Sequence, residues 1–147
     1  MELKFTVYAH VACSPREAFE AVADPASLSR YFTTGGAVGR IETGATVQWD
    51  FAEFPGAFPV EVVEAVPEER IVLHWGSPSG GKTEVVLAFE PVDAGARTKV
   101  SVTESGWPET AEGLEASYGN CMGWSQMLCA MKCWIERGFN LRERMYK

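Results

Sequence analysis

Two glutamates are placed where chemistry is conceivable. Val47, Trp49 and Phe51 alternate with Gln48 and Asp50, and the next position of the same parity is Glu53. Val100 and Val102 alternate with Ser101 and Thr103 and lead to Glu104. Side chains that alternate along a strand share one face, so both carboxylates would aim at an apolar concave side, each at a strand end. A carboxyl group withdrawn from water could act as general acid or base on a carbonyl or enol. At a solvated strand end the same group is an ordinary rim charge, and the pattern leaves both readings open.

Aromatic residues are the second feature, with 5 Trp and 8 Phe in 147 residues. Trp49 lies on the parity just described, Trp75 shares parity with Ile71 and Leu73, and Trp124 falls on a helical stripe. Indoles carry a large apolar face and one N–H, which suits a pocket for a flat or greasy molecule with a few polar anchors. The lining expected is Trp49, Phe51, Trp75, Val102, Trp107, Trp124, Met127, Leu128 and Met131. The same rings could instead fill a solid core. Tyr31 and Phe32, beside the Gly35-Gly36 loop, would form either a gate over the pocket mouth or a hydrophobic plug.

Other chemistries lack their residues. No serine or cysteine has a histidine at a predictable position, so a nucleophilic triad is not supported. The glycines at 35, 36, 39 and 44 lack the Gly-Lys-Ser/Thr ending of a phosphate loop. Cys13, Cys121, Cys129 and Cys133 with two histidines fall short of a structural metal set, so no metal and no cofactor are expected. Cys129 and Cys133 fall on the outer side of a helix, as free thiols, a subunit contact or an oxidation-sensitive pair. Net charge is −7, from 13 Lys and Arg against 20 Asp and Glu, which disfavours nucleic acid and anionic membranes as partners. No apolar run approaches the roughly 20 residues of a membrane span, and no leader pattern is visible, so a cytoplasmic location is expected.

The elements that must position these residues follow from periodicity. Leu3 to Val11 alternates as a half-buried strand. Ser14-Pro15-Arg16-Glu17 reads as a capped helix start, and Asp24-Pro25 separates that helix from a second short one reaching Phe32. From Ala37 to Glu104 about six strands alternate with turns, including Pro67–Arg70, Ser77–Gly81 and Asp93–Ala96. Mixed parity over Phe58–Val66 predicts a bulge. Beyond Trp107-Pro108, helical spacing from Glu109 to Arg137 places Trp124, Leu128, Met131 and Ile135 on one side, with Gly138 as the stop. The basic Phe139–Lys147 tail reads as a frayed last turn. The expectation is an α+β helix-grip fold over residues 1–147 as one domain: a curved antiparallel sheet of six to seven strands around a long C-terminal helix, with two short helices after the first strand.

This order and its residues resemble the START-like (SRPBCC) superfamily. Within it they resemble the family of activator of ninety-kilodalton heat-shock protein ATPase homologues. The resemblance rests on Ala12-Cys-Ser-Pro-Arg-Glu-Ala-Phe19 with Asp24-Pro25, on Pro67-Glu-Glu-Arg-Ile-Val-Leu-His-Trp75, and on Gly123-Trp124 ahead of Leu128, Met131 and Ile135. It implies a deep cavity between sheet and long helix, used across the superfamily for lipids, sterols, polyketides and plant hormones. Relatives include cyclases, carriers and a co-chaperone domain, so the fold alone does not transmit one function.

Three functions are therefore expected to compete. The first is binding of a small apolar or aromatic molecule, with Glu53 and Glu104 as polar anchors. The second is a cofactor-free cyclase, dehydratase or hydrolase using one of those glutamates. The third is an interaction module with a chaperone partner, or a homodimer through an outer helix patch of Met122, Cys129 and Cys133.

Overall fold

A computed structural model describes residues 1–77 and 80–146. Pro78 and Ser79, in the middle of the expected 77–81 turn, lie outside the described residues, as does Lys147 at the end of the tail.

Strand β1 (Lys4–Val11) is followed by helices α1 (Pro15–Ala23) and α2 (Pro25–Leu28). Strands β2 (Gly36–Val38), β3 (Thr46–Phe51), β4 (Phe54–Val66), β5 (Arg70–Gly76), β6 (Lys82–Val92) and β7 (Arg97–Ser105) come next, and α3 (Ala111–Arg137) follows. The seven strands form one antiparallel sheet in the order β1-β7-β6-β5-β4-β3-β2. Hairpin connections make β2 to β7 a meander, and β1 closes onto β7, so the chain's first and last strands are neighbours. This is the α+β helix-grip architecture.

Local chemistry explains the boundaries. Ser14 accepts from the Glu17 backbone N–H at 3.2 Å and Pro15 occupies the first turn, as its fixed φ allows. The Ser14 hydroxyl donates to the Glu17 carboxylate, so the reciprocal contact runs through the side chain alone. Asp24 ends α1 and caps α2, whose regular turns stop at Leu28, four residues before Phe32. Thr110 caps α3 through the Gly113 N–H, and Gly138 ends it in the left-handed region at φ 67°. The tail after Gly138 consists of turns rather than a last helical turn.

The core lies between the concave sheet face and α3. Val60 and Val62 of β4, Ile71 and Leu73 of β5, Val85, Leu87 and Phe89 of β6 and Val100 and Val102 of β7 are all buried. The bulge expected in β4 falls between Val62 and Glu64. The extra residue hands the inward parity from Val62, opposite Leu73, to Ala65, opposite Ile71. From α3, Trp124, Met127, Leu128 and Met131 point into the core. Ala130 is fully buried as well. The helix runs closest to β1 and stands off the middle of the sheet, so large side chains must bridge the remaining gap.

Candidate functional site

At the far end of that gap sits Glu104, with no solvent exposure. It lies near the end of β7, paired with Phe5 of β1 and Val85 of β6, so the strand is still intact there and its parity holds. Four side chains from three elements converge on its carboxylate. The Trp75 indole N–H (2.9 Å) and Thr83 hydroxyl (2.6 Å) donate to Oε2, and the Trp124 indole N–H (2.9 Å) donates to Oε1. The Asn120 amide reaches both oxygens, at 3.1 and 3.0 Å. Indole and amide nitrogens only donate, so they complement an acceptor-only carboxylate.

Among the described residues no Lys, Arg or His forms an ion pair with Glu104. Withdrawing a carboxylate from water costs several kcal/mol. Hydrogen bonds to a charged group contribute about 1.5–3 kcal/mol each, so four donors suffice to offset that cost. The same saturation leaves neither oxygen idle, which argues against Glu104 taking a proton from a substrate in this arrangement.

Around the anchor the rings pack edge and face. Trp75 lies 5.5 Å from Trp124 and 5.8 Å from Trp49 between centroids. Phe32 sits 5.6 Å from Trp49, 5.0 Å from Phe51 and 5.4 Å from Trp124. Phe58 stacks near Phe51 at 5.9 Å and approaches Trp75 at the same separation. Spacings of 5.0–5.9 Å fall within the usual range for interacting aromatic pairs. Six rings thus form one continuous box with Glu104 at its base.

The expected site residues divide accordingly. Phe32, Trp49, Phe51, Trp75 and Trp124 are brought together, while Val102, Met127, Leu128 and Met131 form the buried apolar surroundings. Trp107 stacks instead on Phe5 of β1, at 5.6 Å, and its buried indole nitrogen has no hydrogen-bond partner among the described residues. Tyr31 turns toward α1, where its hydroxyl donates to the Ala21 carbonyl at 2.9 Å and burial pushes the phenol pKa up. With Trp134 and Glu20 it lines a separate hollow of about 390 Å³.

Glu53 departs from the inward expectation. Strand β3 ends at Phe51 and the chain turns directly into Phe54, so parity no longer governs position 53. Its carboxylate lies at the rim and accepts from the Thr34 hydroxyl at 2.7 Å. It lines a hollow of about 580 Å³ between the β3–β4 turn and the tail, together with Ala52, Arg144, Met145 and Tyr146. His74 faces outward to Glu84, at 2.9 Å. Cys129 is exposed, Cys121 and Cys133 are half-buried, and all four cysteines are free thiols.

Four contributors escaped the sequence reading: Phe58, which shares parity with Val60 in β4, Thr83, Asn120 and Arg142. Thr83 continues the inward series Val85, Leu87, Phe89 by two places, and Asn120 lies one turn before Trp124, so their positions were legible although their bonds to Glu104 were not. Arg142 lies in the tail, where no periodicity marks it. Its guanidinium lies over Phe32 and Phe51 of the box, 5.3 and 5.6 Å from their centroids, and 5.0 Å from that of Tyr146 in the tail.

The sequence model of the family "Activator of Hsp90 ATPase homolog 1-like protein" matches residues 12–136. The chain belongs to this family. No curated protein matches the sequence. Among solved structures, SSP2350 from Staphylococcus saprophyticus is 22% identical with a TM-score of 0.80, covering 95% of this chain and 96% of that one. The Aha1 dimer from Colwellia psychrerythraea, solved in solution, is 22% identical with a TM-score of 0.76, over 92% and 97%. DynU16, a protein of the dynemicin biosynthetic locus, is 22% identical with a TM-score of 0.78, covering 92% of this chain and 48% of that one. At these identities the likeness establishes a shared fold alone. Among the described residues, no helix is long and apolar enough to cross a membrane.

Proposed function

We propose that the chain binds a small, largely apolar or aromatic molecule at the aromatic box between the sheet and α3. The observation that carries this reading is the pairing of a rigidly held internal carboxylate with six converging rings. A core needs neither a buried charge nor two indoles oriented by it, and apolar packing of similar volume is often as stable or more so. Binding sites, in contrast, join an apolar wall to a few fixed polar groups. The guest would wedge between Phe32, Phe51 and Trp124, where rings from a loop, a strand and a helix meet. The DynU16 relative, from a biosynthetic locus, is consistent with a small organic guest.

Tryptophan fluorescence tests this directly, because three indoles form the box. Titration with a panel of lipids, polyketides and aromatic acids is expected to shift or quench the emission. Trp124→Ala or Trp49→Ala should change the affinity, and Cys133→Ser should leave it unaltered. No response to any member of the panel would overturn the reading.

A second reading concerns partners. Leu114, Tyr118 and Met122 are all exposed at four-residue spacing, forming an apolar stripe on the outer face of α3. A second copy of this chain fits that stripe, and the Colwellia relative is a dimer. Light scattering coupled to gel filtration is expected to give twice the monomer mass, and Met122→Glu should halve it. A monomeric mass for the unaltered chain would exclude this interface.

A further inference from the structure

Among the described residues Arg142 is, beside Glu104, the second buried charge without an ion-pair partner, and it lies over the Phe32 ring. Only 6% of the residue is exposed. Among the described residues its side chain donates no hydrogen bond, its buried Nε has no partner, and no carboxylate lies within 4.0 Å of it. A guanidinium carries five donors in a planar fork. Aromatic faces stabilise its charge, by about 0.5–2 kcal/mol for each cation–π contact, but they do not satisfy those donors. An unsatisfied cation held between rings is ready for an anion.

The surroundings limit which anion fits. The guanidinium lies over the Tyr146 ring, and Tyr146 lines the hollow of about 580 Å³ beside the β3–β4 turn. That volume falls within the range of small-molecule sites, roughly 300–1,000 Å³. On its other side the guanidinium covers Phe32 and Phe51 of the box. A guest reaching from the hollow to the box would therefore set its apolar body on rings and its head group beside Arg142. Glu53 and Arg144 line the same hollow with opposite charges, so only the Arg142 charge is left without a counter-charge.

We propose that Arg142 anchors the carboxylate of a planar aromatic monoacid, which enters through the hollow between the β3–β4 turn and the C-terminal tail. This rests on the aromatic box being a ligand site. A carboxylate matches the guanidinium fork with two parallel hydrogen bonds, whereas a dianion such as a phosphate monoester would leave one of its charges unmatched.

The test uses 2-naphthoate and its neutral analogue 2-naphthamide, titrated calorimetrically into the full chain. The unaltered protein is expected to prefer the naphthoate by about tenfold or more. Arg142→Gln should abolish that preference. Equal binding of the two compounds, or a preference that survives Arg142→Gln, would overturn the anchor and leave the aromatic site standing. Failure of both compounds to bind at millimolar concentration would overturn the anchor and the aromatic site together. If Arg142→Gln does not fold, a crystal structure of the 2-naphthoate complex decides: carboxylate oxygens within hydrogen-bond distance of Arg142 support the anchor, and any other placement defeats it.

Discussion

At the scale of single residues, Glu53 and Glu104 begin from the same parity argument and end differently. Glu104 lies inside a strand with neighbours on both sides, so its direction is imposed by the ladder. Glu53 lies in the two-residue turn between Phe51 and Phe54, where no ladder imposes its direction. Glu104→Gln places an N–H2 group opposite donors, so we expect a loss of about 1–3 kcal/mol of stability by urea denaturation. Unchanged stability would mean that the donors are not held by the charge. The thiols give a second prediction. Burial, followed by the charges of Glu17 and Glu136, pushes the Cys13 thiol up to about 11, and Cys129 is exposed. Iodoacetamide at pH 8 should therefore modify Cys129 first and Cys13 last, as read by peptide mass. Because the folded value of Cys13 lies above its ordinary value near 9, its contribution to stability is present below that pH. It is lost as pH rises from there through about 11, because the unfolded thiol ionises first.

At the scale of elements, α3 is the part on which the site depends, since it brings Asn120 and Trp124 to the carboxylate and buries Met127, Leu128 and Met131. Its 3.6-residue pattern made the apolar stripe legible in the sequence, and Gly138 marked its end. Its start was less legible: the helix begins at Ala111 because Thr110, not Glu109, caps it. The glycines within it differ in role. A Cβ at Gly113 would overlap the Pro108 carbonyl oxygen, whereas one at Gly119 meets nothing within 4 Å. Gly113→Ala is expected to cost about 1–3 kcal/mol through overpacking. Gly119→Ala should add roughly 0.8–1 kcal/mol through helix propensity. Thermal melts of the two variants should move in opposite directions, and a stabilised Gly113→Ala would show that the 108–113 corner is not tightly closed.

At the scale of the whole molecule, the tail after α3 packs over the box, through Arg142 on Phe32 and Phe51 and the Tyr146 hydroxyl donating to Gln126 at 2.6 Å. Removal of residues 139–147 should expose Phe32 and Phe51. We expect increased binding of the dye 1-anilinonaphthalene-8-sulfonate and a stability loss of roughly 1–3 kcal/mol from the lost cation–π contacts. Dye binding equal to that of the full chain would mean that the tail covers nothing. The sequence by itself determined the order of elements, the β4 bulge, the inward parity of Trp49, Trp75 and Glu104 and the stripe carrying Trp124, because periodicities of two and 3.6 are properties of the local backbone. Only the tertiary structure decided that the Trp75 and Trp124 indoles point their N–H groups at one carboxylate, that Tyr31 bonds to α1 and Trp107 stacks on Phe5, and that Arg142 lies over Phe32 and Phe51. Those contacts join residues that are distant along the chain, or that lie in turns and a tail, where no repeating backbone geometry links a residue's position to its direction.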